Sequence, residues 1–113
     1  MTGPQGAAGT PTASAIADGV ASGSLTATEV IDACLERIAA GDGTIHAFNT
    51  VTADLARARA ADIDADVAAG RDVGRLAGVP VALKDNMCTR GVVTTCSSKI
   101  LDDWVPPYDG TAV

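Results

Sequence analysis

The sequence predicts an α/β fold, in which N-terminal helices precede the first strands of a sheet that helices cover. Three observations predict it. Residues 26–41 and 53–69 carry apolar side chains at helical spacing. Residues 79–83 are apolar on both alternating faces, the pattern of a strand buried from two sides. Residues 92–95 read Val-Val-Thr-Thr, a β-branched run suited to a second extended segment. A chain of 113 residues makes one domain or a portion of a larger one.

Residues 1–13, MTGPQGAAGTPTA, read as a flexible tail, without the basic start and apolar stretch of a secretion signal. Residues 14–22 form a short helix with Ile16 and Val20 on one face, and Gly23 stops it. The next helix opens with Thr26 and Glu29, the spacing at which each side chain satisfies an orphan amide of the first turn. Val30, Ile31, Cys34, Leu35 and Ile38 continue its apolar stripe, and Gly41 is expected to close it. Residues 45–51, IHAFNTV, predict a short strand after the turn at 41–43. Residues 53–69 predict a helix ending at Gly70, with Asp54–Arg57 and Arg59–Asp62 spaced to pair along it. Pro80 belongs at the start of the following strand or at a sheet edge. A turn at 86–91, a short helical stretch at 97–101 and the loop WVPPYDG complete the chain. Residues 14–113 are therefore read as the structured part of the chain, behind a tail at 1–13.

Composition narrows the function. Eight basic against 14 acidic residues give a net charge of −6, all of it carried by residues 1–70. With no basic stripe, the chain is not expected to hold a phosphate backbone by itself. Its apolar runs are too short to span a bilayer. Three cysteines at unrelated spacings argue against a secreted disulfide scaffold and for a reducing, cytoplasmic location. One histidine and no C-x-x-C pair leave no structural zinc site. No glycine-rich phosphate-binding pattern is present.

Lys84 is the residue best placed for chemistry, because it ends an apolar strand where sheet ends present side chains to a site. A desolvated lysine there would be a general base, whereas a solvated one would simply reach water along its own stem. Asp85 faces away from it and is expected to organise the following turn. Cys88 and Cys96 read as inert small residues, since His46 is remote in sequence. Ser97 reads as the cap of the short helix, with a Ser–Lys pair through Lys99 as the alternative. Trp104 and Tyr108 read as a contact surface or as anchors of the proline loop. Local chemistry thus reaches a candidate base, Lys84, with no nucleophile beside it.

Residues 76–113, and above all LAGVPVALKDN, TTCSSKIL and PPYDGTAV, closely resemble the amidase signature family. Within it they look most like the A subunits of the aspartyl/glutamyl-tRNA(Asn/Gln) amidotransferases. TATEVIDACLERI and HAFNTV match in order and length, so the resemblance covers about residues 14–113. It implies a mixed sheet covered by helices, and it implies that Lys84 is the base of a Ser–cis-Ser–Lys triad. It also implies glutamine as amido donor, and ammonia passed to a B subunit that uses ATP and Mg²⁺ on charged tRNA. A C subunit would brace the pair. The Gly/Ser-rich segment that supplies both serines of the triad is not among these 113 residues, so the chain reads as an N-terminal fragment, expected to be inactive in isolation. A stand-alone amidase, or a catalytically inert truncated fragment, is the alternative.

Overall fold

The computed structural model describes residues 9–113. Most of the tail lies outside the described residues. The tail's end does not stay irregular: Thr12 is already the N-cap of α1, Ala13–Ser22, accepting from the Ala15 amide at 3.2 Å. Gly23, at φ +76°, closes that helix. Then come α2, Ala27–Ile45, and α3, Ala53–Ala68, followed by a single 3₁₀ turn, η1, Lys99–Leu101. Among the described residues there is no β-strand, and no helix is long and apolar enough to cross a membrane.

The chain divides into two compact units. The first takes in the described chain through Gly43 together with Ala53–Pro80. Ile16, Val20, Ala27, Val30 and Ala60 are its buried core, with Leu25, Ile31, Ile63, Val67 and Val79 packed against them. The core is small because alanine supplies much of the helix surface and buries little area per residue. Gly78, at φ +80°, turns the chain against the fully buried Val20; a Cβ there would stand 2.6 Å from Val20 Cγ2. A side chain at position 78 is therefore excluded twice, by backbone conformation and by contact.

The N-terminus of α2 shows a complete accounting of orphan amides. Thr26 Oγ1 accepts from the Glu29 amide at 3.1 Å, and Glu29 Oε2 accepts from the Thr26 amide at 2.9 Å, the reciprocal pair expected from sequence. The Val30 amide bonds the Thr26 carbonyl. The two remaining amides go to another helix: Asp64 of α3 accepts from Ala27 N at 2.6 Å and from Thr28 N at 3.1 Å. Its Oδ2 also accepts from Thr28 Oγ1 at 2.7 Å. α3 thus supplies an anion to the positive end of α2. The second link between these helices is the Arg57–Asp32 ion pair at 2.8 Å, made in place of the expected pairing with Asp54. At its own C-terminus α3 ends in a Schellman arrangement. Gly70 N donates to Val67 O, Arg71 N donates to Asp66 O, and Gly70 sits at φ +71°. Arg71 also reaches back to Asp66 with its guanidinium, at 2.6 Å.

The second unit comprises Thr44–Thr52 and Val81–Val113. It is irregular but hydrogen-bonded. Residues 88–94 run alongside 104–110 through Gly110 N to Cys88 O, Gly91 N to Pro106 O and Thr94 N to Trp104 O, at 2.7, 3.1 and 3.0 Å. The Asp109 carboxylate adds a bond from the Arg90 amide. Pro106 and Pro107 lack amide hydrogens, so the pairing cannot become a regular ladder. Thr94 and Pro106 are the buried residues of this unit.

The helices form where the sequence predicts them, α2 overrunning its expected end, and the strands do not form. α2 runs through Gly41 and Gly43 to Ile45, and His46 takes the left-handed conformation after it, so residues 45–51 do not form a strand. Glycine lowers helix propensity by about 1 kcal/mol and does not forbid the helix. Residues 79–84 form no strand and pair with no neighbour among the described residues. Val79 packs on the core, whereas Val81 is 74% exposed and Leu83 and Lys84 are also exposed. A strand needs a neighbour, and no described segment lies beside this one as a ladder partner. Residues 92–95 pair only irregularly, for the proline reason above. The cap of η1 is Ser98, which accepts from Ile100 N at 3.3 Å; Ser97 instead takes a positive φ in the turn before it.

Candidate functional site

Lys84 stands just before a turn, exposed and without an ion-pair partner among the described residues. Its carbonyl accepts from the Met87 amide at 3.0 Å, which folds the chain back just after it. The neighbouring Asp85 does more than organise that local turn. Oδ1 accepts from the Thr95 amide at 2.8 Å, and Oδ2 accepts from the Thr95 hydroxyl and from Asn49 Nδ2, the latter at 3.0 Å. The Asp85 carbonyl also accepts from the Cys96 amide at 2.8 Å. The Thr95 hydroxyl, its backbone amide and the Asn49 amide hold the Asp85 carboxyl below its ordinary value, against a smaller upward push from burial.

These bonds tie Asp85 to a strained turn. Cys96 and Ser97 have φ +49° and +59°, and Ser98 N donates across them to Thr95 O at 2.8 Å. Two positive φ values in succession are a conformation that glycine or asparagine usually supplies. Thr95 Oγ1 completes the turn by accepting from the Ser97 amide at 3.1 Å. Sequence reasoning singled out Lys84 and read Asp85 as a turn residue, and it did not name Thr95 or Asn49 as partners of Asp85. The partners lie 10 and 36 residues from Asp85, beyond any local spacing rule.

The other singled-out residues fall elsewhere. Cys88 is half-buried and its thiol donates to the Tyr108 hydroxyl at 3.9 Å, whereas Cys96 is exposed rather than packed as a small apolar residue. Trp104 and Tyr108 meet edge to face, 6.4 Å between centroids, which ties the two ends of the proline loop. Ser97, Ser98 and Lys99 form no Ser–Lys hydrogen bond among the described residues; Ser98 is occupied as a cap. Among the described residues, no three His, Cys, Asp or Glu side chains cluster closely enough to hold a metal ion.

Residues 29–113 match the family described as Amidase. The chain is 54% identical over 86 residues to the A subunit of glutamyl-tRNA(Gln) amidotransferase from Thermosynechococcus vestitus, covering 76% of this chain and 18% of that protein. To the protein of the same name from Acidothermus cellulolyticus it is 53% identical over 102 residues, covering 90% of this chain and 20% of that one. It spans about a fifth of the length of these relatives. Among solved structures it is similar to one described as part of a vestigial protein complex bearing on the origins of an s-triazine catabolic enzyme. The TM-score is 0.79 and the identity 39%, over 83% of this chain and 21% of that one.

Proposed function

Because the chain belongs to the amidase family, we propose that it contributes the general base of the A component of a glutamine-hydrolysing amidotransferase, and that Lys84 is that base. The observation that carries the reading is Lys84 itself. It stands in the LAGVPVALKDN stretch with an uncommitted amine, while the adjacent carboxylate is engaged by Thr95 and Asn49. In the complete protein the exposed apolar residues around it, among them Val81 and Leu83, would be covered by the remainder of a mixed sheet and its helices. Beside the hydroxyls of the triad, the amine would be placed to accept a proton.

The chemistry then follows. Lys84 takes a proton through a bridging cis-serine from the nucleophilic serine, whose oxygen attacks the side-chain amide carbon of glutamine. Backbone amides stabilise the oxyanion. The C–N bond breaks, the leaving nitrogen receives the proton and departs as ammonia, and water then releases glutamate from the acyl-enzyme. Both serines would come from sequence beyond these 113 residues, so the isolated chain is expected to be inactive. Ammonia would pass to a B subunit that activates Glu-tRNA(Gln) or Asp-tRNA(Asn) with ATP and Mg²⁺, a C subunit completing a heterotrimer. An acidic chain without a basic stripe fits RNA contact made by that partner. The second reading is a stand-alone amidase of the same family.

The test is a chimaera in which residues 29–113 replace the matching segment of a full-length relative, assembled with its partner subunits. We expect glutamine hydrolysis that falls at least about a thousandfold on Lys84→Ala. Turnover unaffected by that substitution would refute the assignment. Hydrolysis of simple amides that does not depend on the partner subunits would favour the second reading.

A further inference from the structure

Building on the assignment of Lys84 as base, we infer that Asp85 is its positioning residue, acting through Thr95 and Asn49 rather than touching substrate. Four bonds converge on this one residue. Its carboxylate accepts from Thr95 N, Thr95 Oγ1 and Asn49 Nδ2, and its carbonyl accepts from Cys96 N. Together they join three separate stretches of chain, around positions 49, 85 and 95, at the residue that follows the lysine. The turn they hold is unfavourable by itself, since Cys96 and Ser97 both have positive φ. Such a conformation persists only where its surroundings over-determine it, and here the surroundings are the Asp85 bonds.

Two consequences reach the lysine. Its backbone is fixed from both sides of its own peptide link, by Met87 N on the Lys84 carbonyl and by the Thr95 clamp on Asp85. The origin of a long, flexible side chain is thereby set, which is what proton transfer over hydrogen-bond distance requires. The same bonds occupy both carboxylate oxygens with neutral donors. Lys84 accordingly makes no ion pair with Asp85.

The test uses the full-length chimaera in complex, with Lys84→Ala, Asp85→Asn, Thr95→Val and Thr95→Ser compared by glutamine hydrolysis. We expect Asp85→Asn and Thr95→Val to lower kcat by about tenfold to a hundredfold with KM for glutamine within about twofold of the parent. Thr95→Ser keeps the hydroxyl and is expected to retain parental kcat. Parental kcat in Asp85→Asn, alongside an inactive Lys84→Ala, would overturn the positioning role and leave the base assignment standing. Thr95→Ser as impaired as Thr95→Val would also overturn it, because packing rather than the hydroxyl would then matter. Parental turnover in Lys84→Ala would remove the base assignment and this role with it.

Discussion

Asp64 gives the sharpest test of how the helical unit is held. Its carboxylate accepts from the Ala27 amide, the Thr28 amide and the Thr28 hydroxyl, so α3 caps α2 across the core. Ala27 is only 2% exposed, so its amide has no route to water if the carboxylate is removed. Stranding that donor costs about 1–3 kcal/mol, and losing an anion at a helix N-terminus costs a further ~0.3–1 kcal/mol. Asp64→Ala is therefore expected to destabilise the unit by about 1.3–4 kcal/mol. Asp64→Asn keeps one acceptor and should cost about half as much. Urea denaturation followed by circular dichroism measures the difference, and hydrogen exchange at Ala27 and Thr28 localises it. The pH dependence has a definite sign. Burial pushes the Asp64 carboxyl up, but its bonds from the Thr28 hydroxyl and the Ala27 and Thr28 amides together hold it below 3.8. Its contribution is then fully present above pH 3.8 and is lost as the pH falls through the lower folded value. The gap between the parent and Asp64→Asn should be constant near neutrality and close in acid. A loss below about 0.5 kcal/mol in Asp64→Ala, or a gap that widens on acidification, would refute the reasoning.

Three further outcomes are expected. Gly78→Ala places a Cβ 2.6 Å from Val20 Cγ2 at φ +80° and should cost about 2–4 kcal/mol; a thermal melt reads this, and Val20→Ala in the same chain should recover part of it by removing the opposing methyls. Ser97→Gly relieves a left-handed residue at φ +59° and should stabilise by up to about 1 kcal/mol, so a lowered melting temperature would count against strain in that turn. The Asp85 carboxyl should titrate below 3.8 by NMR, and Thr95→Val should move it back up, because the Thr95 hydroxyl is the largest cause of its depression.

The helix starts, and the helix ends at Gly23 and Gly70, were legible because their signals are local. Thr26 and Glu29 meet three residues apart in any helix that starts there, and Gly23 and Gly70 end helices through their own φ. The motif around Lys84 was legible for a different reason: a long, specific string of residues resembles a family whether or not its strand is paired. The strands themselves were not legible as structure. The alternation at 79–83 records two apolar faces, but burial requires neighbours, and within these residues Val81 and Leu83 face solvent.

Sequence alone thus determined where the helices begin and which face α1 buries, since each depends on spacing within a few residues. Tertiary structure decided the rest: that Asp64 caps a helix other than its own, that Gly78 makes room for Val20, and that Asp85 joins Thr95 and Asn49. These are contacts between residues 10 to 58 positions apart. Periodicity carries no information over such separations, because a hydrogen bond or a methyl contact depends on position in space and not on position along the chain.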